Sequence, residues 1–400
     1  MTFEEVLQRF RDDSLSEREK GAKFEKLIRH WFLTDRRYSD QIKSAWLWED
    51  FPYRESFSGN DIGIDIVIEN KEGNFWAVQC KFYDEKTTIK KGQVDSFLSC
   101  VNKMFCIGDA SEYKQFSEAF WIGTDSNWGK FAEKIIENQI VPFHRINYAD
   151  LSESEVDWDE LLKGVYGEQA RNKPKTLMDY QVEAIKKAKE YYYEQEHNRG
   201  KLIMACGTGK TFTSLKMMES FFPNNGLILF MVPSIALLGQ SLNAWKADSA
   251  DEFTAICICS DNKASRKTDT NSDVLNESAV DLAVPACTNV KSITEQLLRA
   301  RNEKGMVVVF STYQSIDAVS EAQQKVLDET NEQYGIFDFI VCDEAHRTTG
   351  AKASSMDESN FVKIHNNDYI KGLKRLYMTA TPKLFGDTVK KAAEEKDIII

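Results

Sequence analysis

In the second half of this 400-residue chain, short apolar runs alternate with longer amphipathic segments. Runs of buried-strand length fall at 201–206, 226–232, 254–259, 306–311, 337–342 and 375–379, and helical patterning falls at about 178–193, 211–221, 234–247, 313–327 and 384–395. Strand, helix, strand repeated in this way predicts a parallel sheet with helices on both faces, because parallel neighbours need a crossover and the crossover is usually a helix. The polar stretch 260–283 is too long and hydrophilic for a turn and reads as a surface insertion.

The first part of the chain differs in kind. Seven of the eight tryptophans lie at or before Trp158, and only Trp245 comes later. Phe24, Leu27, Ile28, Trp31 and Phe32 recur at helical spacing and form one apolar stripe. Strand-like runs follow at 61–68, 75–82 and 119–123, with a helical stretch near 91–104 between the last two. Gly164 to Gly167 and the polar run 168–175 read as a joint, so the expected domains are 1–168 and 169–400, both α/β. Two or three domains is also what the length implies, at roughly 150 residues each.

Composition narrows the class. With 42% hydrophobic residues the chain can bury large cores, which excludes wholesale disorder. Its longest apolar stretches, such as 227–232, fall far short of the ~18–20 residues of a membrane span. The opening Met1-Thr-Phe-Glu-Glu5 has no basic, apolar leader, so a soluble, cytoplasmic protein is expected. Lys plus Arg is 51 against 63 for Asp plus Glu, a net charge of −12, so any nucleic acid must be met by local grooves. Eight cysteines without a C-x-x-C pair point to reduced, structural thiols. His30, His144, His197 and His365 show no metal-ligand spacing.

Two places carry chemistry. In Met204-Ala-Cys-Gly-Thr-Gly-Lys-Thr211 a strand runs into glycines and then opens a helix. Gly207, Thr208 and Gly209 can curl so that successive N–H groups face a phosphate, and the helix adds its positive end. Lys210 can reach outer phosphates and Thr211 can ligate Mg²⁺. Met204 stands where the general G-x-x-x-x-G-K-[ST] pattern has Gly. Asp343 and Glu344 directly follow a predicted strand, where Asp343 can hold the same Mg²⁺ and Glu344 can orient a water.

The second place is Asp65, read as lying within the strand 61–68, with Gln79 and Lys81 fourteen and sixteen residues on. Side chains alternate along a strand, so Gln79 and Lys81 share a face and Cys80 takes the other. One carboxylate plus an amide or a backbone carbonyl can hold Mg²⁺ while lysine steadies an attacking water. Glu25 lies about 90° from the centre of the apolar stripe, a carboxylate at its buried edge, and Gly21 on the same side allows close approach to a sheet. A plain cross-strand ion pair between Asp65 and Lys81 is the bland alternative. Lys86, Lys90 and Lys91 either touch a DNA backbone or are simply solvated.

From these residues the second unit resembles the first RecA-like domain of a superfamily 2 helicase or translocase of DEAH type. Asp179-Tyr180-Gln181 resembles the adenine element, with Gln181 as reader, and Val232-Pro233-Ser234 and Phe310-Ser311-Thr312-Tyr313 resemble strand-contacting motifs. The resemblance places His346 beside the nucleotide and gives Thr379-Ala380-Thr381 the role of coupling hydrolysis to movement. The Asp65, Gln79 and Lys81 set resembles the PD-(D/E)xK nuclease fold of Mrr-like restriction endonucleases, which often carry Gln-x-Lys. The order of the two resembles single-polypeptide type ISP restriction–modification enzymes. That implies ATP, Mg²⁺ and double-stranded DNA, with a second motor domain, a coupler, a methyltransferase and a target-recognition domain downstream. A repair or remodelling helicase with a non-cleaving first domain, and an RNA helicase, are the rivals.

No Gln-x-x-Gly-Arg-x-x-Arg motif occurs in these 400 residues, so the arginine fingers of the resembled motors are not among them. This chain alone is expected to bind ATP weakly and to hydrolyse it slowly. Steady-state turnover matching that of an intact two-domain motor would overturn that expectation.

Overall fold

A computed structural model describes residues 1–57, 63–83, 87–108, 112–124, 127–136, 139–173, 175–259, 289–345 and 356–380. These divide into two compact units, Met1–Lys173 and the residues from 175 onward. The expected insertion at 260–283, the helix at 384–395, and His346, Thr381 and Lys86 lie outside the described residues.

The first unit runs α1 (Phe3–Asp13), α2 (Glu17–Phe32), β1 (Ile42–Leu47), β2 (Ile66–Asn70), β3 (Phe75–Lys81), β4 (Thr88–Ile89), α3 (Lys91–Val101), β5 (Met104–Ile107), β6 (Glu112–Gly123), β7 (Asn127–Trp128), α4 (Lys130–Ile136), β8 (Phe143–Ile146), α5 (Tyr148–Ser152) and α6 (Trp158–Leu162). Its main sheet has the order β1-β2-β3-β6-β5, with β8 also on β6. The hairpin β1-β2-β3 is antiparallel, whereas β3, β6 and β8 run parallel after the α3 crossover. The stripe of α2 is buried as its spacing requires, Phe24, Leu27, Ile28, Trp31 and Phe32 all being at most 2% exposed. Helix α1 has no counterpart in the sequence reading, although Thr2 and Glu5 form a reciprocal capping box at its start.

One strand begins later than its apolar pattern suggests. Asp65 is not inside β2 but immediately before it, and its backbone still joins the ladder: its N–H donates to Val78 O (2.8 Å) and its carbonyl accepts from Trp48 N (2.8 Å). Gly21 does not bring α2 onto the sheet either. A Cβ there would meet only Glu25 Oε1, at 3.9 Å.

The second unit runs α7 (Asp179–Lys189), β9 (Arg199–Ile203), α8 (Lys210–Phe221), β10 (Asn225–Val232), α9 (Ile235–Asp248), β11 (Thr254–Ile258), α10 (Val290–Ala300), β12 (Gly305–Thr312), α11 (Ile316–Glu329), β13 (Phe337–Cys342), α12 (Met356–Lys363) and β14 (Gly372–Thr379). The sheet order is β11-β12-β10-β13-β14-β9, and every pairing is parallel. Buried on both faces, β10 is continuously apolar from Leu227 to Val232. The run expected at 201–206 is instead an edge strand that stops at Ile203, itself 54% exposed, and the loop begins at Met204. Cys206 is accordingly exposed in that loop, whereas Cys80, Cys257, Cys259 and Cys342 are buried and in no disulfide.

A desolvated ion pair ties the first unit together. Arg37 Nε and Nη2 grip Asp35 at 2.8 and 2.7 Å, with both side chains under 10% exposed. Asp35 also accepts from Ser154 Oγ, which in turn accepts from Trp31 Nε1 at 2.9 Å. Arg37→Ala would strand a buried carboxylate, and a loss of about 3–5 kcal/mol is expected in urea denaturation of the chain.

Candidate nuclease and nucleotide sites

In the first unit the expected residues gather at the carboxyl end of β3. Asp65 Oδ2 accepts from Gln79 Nε2 (2.6 Å) and from Cys80 N (2.6 Å). Asp65 therefore pairs with the amide and the backbone, not with Lys81, and the simple cross-strand ion pair is not formed. Gly63, at φ 80°, leaves room for this, because a Cβ there would stand 3.1 Å from Gln79 Oε1. Gln79 is 2% exposed, while Asp65, Lys81 and Glu25 are half-buried.

Cys80 reports how closely the charges converge. Burial first, then the carboxylates of Asp65 and Glu25, push its thiol well above the ordinary value, while Lys81 pulls the other way. Glu25 on α2 thus lies near enough to act on the same thiol as Asp65 and Lys81. Among the described residues no group of three His, Cys, Asp or Glu side chains converges as a ready-made metal centre. Oxygen donors from one or two carboxylates and an amide suit Mg²⁺, which completes its shell with water and phosphate oxygens. The Gln79 amide now offers its NH₂ to Asp65, so its oxygen would reach a shared ion only after the amide turns over. Lys91 is engaged with Asp95 at 2.6 Å.

In the second unit, parallel pairing carries the expected residues to one edge of the sheet. Gly207 and Gly209 adopt φ of 77° and 81°, and Gly209 caps α8. Met204 is not in the left-handed region, so a side chain is tolerated where the general pattern has Gly; its N–H donates to Thr379 O (3.2 Å). Asp343 N donates to Met231 O (2.9 Å), and Tyr313 Oη donates to Asp343 O (3.0 Å). Gln314 Nε2 donates to Pro233 O (3.3 Å), joining the loops after β10 and β12. Asp343 is 6% exposed, and burial raises its carboxyl above the ordinary range, Lys210 pulling it down. Glu344, at φ 48°, holds a left-handed backbone that its side chain does not favour. Its N–H donates to Asp343 Oδ1 at 2.9 Å.

Gln181 is buried against the loop. Its Nε2 donates to Thr208 O (3.1 Å) and its Oε1 accepts from Met178 N (2.9 Å). Tyr180 Oη donates to the same Thr208 carbonyl (3.1 Å), a contact the sequence reading did not assign, although Tyr180 lies within the motif that raised Gln181. Thr211 O accepts from Trp245 Nε1 (3.1 Å), which fixes the first turn of α8.

Comparison with known proteins places both units. Residues 33–168 match the family described as restriction endonuclease, and residues 174–384 match that described as type III restriction enzyme, res subunit. Among solved structures, an ATP-dependent type ISP restriction–modification enzyme, LlaBIII, bound to DNA, is 32% identical over 98% of this chain, with a TM-score of 0.75. A nuclease-deletion mutant of the type ISP restriction–modification enzyme LlaGI, in complex with a DNA substrate mimic, is 40% identical over 53% of this chain, with a TM-score of 0.41. The matches cover 23% of the LlaBIII chain and 18% of the LlaGI chain. No curated protein matches.

Gly209→Ala would place a Cβ 2.7 Å from Gln181 Nε2 on a left-handed backbone. At about 1–3 kcal/mol of strain, a roughly ten-fold or greater loss of ATP affinity is expected by calorimetric titration, with circular dichroism unchanged.

Proposed function

Since the chain belongs to the family of the type III restriction enzyme res subunit, with a restriction-endonuclease domain ahead of it, we propose that it is the nuclease and first motor portion of an ATP-dependent restriction enzyme. It would act on double-stranded DNA in the cytoplasm, the further motor, methyltransferase and target-recognition domains lying elsewhere in the intact protein. The observation that carries this reading is the joint occurrence of the Asp65, Gln79 and Lys81 cluster and the strand-edge phosphate loop in one chain. The endonuclease match favours cleavage over a non-cleaving DNA-binding first domain.

In the nuclease unit Asp65 and Gln79 would hold Mg²⁺, with Glu25 as a further carboxylate at its edge. When bound, the ion supplies Lewis acidity to the scissile phosphate and makes a bound water easier to deprotonate. Lys81 would steady the attacking water and the charge that develops on phosphate oxygens.

In the motor unit the N–H groups of Gly207, Thr208 and Gly209 and the first turn of α8 would cradle phosphates, with Lys210 on the outer ones. Thr211 and Asp343 would hold Mg²⁺, and Glu344 would orient the water. Gln181 would read adenine by exchanging its bond to Thr208 O for the base, which ties nucleotide arrival to the loop's own anchoring. His346 would stand beside the nucleotide, and Thr379 and Thr381 would couple that site to movement along DNA. Support for the Thr379 role comes from its bond to Met204 N, the first residue of the phosphate loop.

Supercoiled-plasmid nicking with Mg²⁺ tests the nuclease half. Asp65→Ala and Lys81→Ala are each expected to slow it by about 100-fold or more and to leave ATP binding intact. Undiminished nicking by both variants, or nicking that survives chelation of Mg²⁺, would remove the assignment. Stimulation of ATP hydrolysis by duplex DNA but not by RNA is expected of the intact protein.

A further inference from the structure

We propose that Thr124 is a positioning residue of the nuclease site: it clamps the end of β3 and so fixes where Lys81 stands. The inference deepens the nuclease reading and rests on it.

Lys81 is the last residue of β3, and strand ends are where a ladder runs out of partners and opens most readily. Its side chain is half-buried and makes no hydrogen bond or ion pair among the described residues. A lysine on a flexible four-carbon stem is located only as well as its backbone is. The backbone beyond Lys81 is therefore what decides the place of its ammonium group.

That backbone is held by one side chain. Thr124 lies one residue past the end of β6 and is 2% exposed. Its N–H donates to Lys81 O at 3.2 Å. Its Oγ1 accepts from Tyr83 N at 2.8 Å and donates to Tyr83 O at 2.6 Å. A single hydroxyl thus takes both backbone groups of the residue two positions beyond Lys81, continuing the β3–β6 pairing where strand geometry has ended. Tyr83 is anchored again at its far end, since its Oη accepts from Gln93 Nε2 at 2.7 Å. Gln93 Oε1 in turn accepts from Lys90 N at 2.8 Å, at the start of α3. Lys81 is consequently flanked by a chain of bonds running from β6 to the amino end of α3. A buried hydroxyl is costly unless it is bonded, and this one is bonded as donor and as acceptor.

The test uses the full chain with Thr124→Val, which keeps the shape and removes the hydroxyl, and Thr124→Ser, which keeps the hydroxyl. Amide exchange at Tyr83 is expected to speed up in the Val variant and to stay slow in the Ser variant. In Mg²⁺-dependent plasmid nicking, Thr124→Val is expected to lower kcat roughly 10–100-fold with KM for DNA unchanged, and Thr124→Ser to restore the rate. Unchanged Tyr83 exchange in the Val variant overturns the clamp, as does a Ser variant no faster than the Val variant. If Asp65→Ala, run in parallel, nicks as fast as the unsubstituted chain, the nuclease reading fails, while Tyr83 exchange still decides the clamp separately.

Discussion

Strand β10 pairs in parallel with β12 on one side and β13 on the other, and the second unit's chemistry depends on that arrangement. Parallel strands all point their carboxyl ends one way, so loops distant in sequence must emerge along a single edge. The phosphate loop after β9, Pro233 after β10, Tyr313 after β12, Asp343 after β13 and Thr379 at the end of β14 meet there for that reason. Hydrogen bonds between the loops then refine the assembly: Asp343 N to Met231 O, Tyr313 Oη to Asp343 O, Met204 N to Thr379 O. The left-handed Glu344 is held within this mesh, where its neighbours outweigh its own backbone preference.

The first unit solves a different problem. A carboxylate near a sheet must be satisfied, and Asp65 is satisfied by the next strand's Gln79 amide and Cys80 N–H. That choice leaves Lys81 without a partner among the described residues, and Lys81, Asp65 and Glu25 all act electrostatically on the Cys80 thiol. A structural ion pair would have consumed the lysine. Hydrogen bonding of the carboxylate to neutral donors leaves the lysine available for the role proposed for it above.

Much of this was legible from residue spacing. The helical stripe of α2, the apolar runs of β10, β12 and β13, and the glycines before Lys210 are local signals, set by side-chain periodicity and by φ requirements that a sequence displays directly. Strand β9 departs from its apolar pattern because its residues, including Ile203, occupy a sheet edge, where an apolar run is not a buried one. Asp65 reads as part of a strand because the residue before β2 shares its backbone bonding, which the pattern of side chains cannot separate. Helix α1 leaves a weak signal, because its apolar face of Phe3, Val6, Leu7 and Phe10 spans little more than two turns.

The linear order of residues determined that an α/β chain of two units carries a phosphate loop followed by an Asp-Glu pair, and an Asp, a Gln and a Lys at strand spacing. Only the tertiary structure decided which of these groups bond to one another. Thr124 lies 43 residues from Lys81 in sequence and carries no motif, and Tyr180 joins Gln181 on one carbonyl of the loop 28 residues away. Such contacts depend on strand register and on which buried polar group finds which partner. Periodicity encodes the face a side chain takes, but the partner across the sheet is settled by packing over the whole unit.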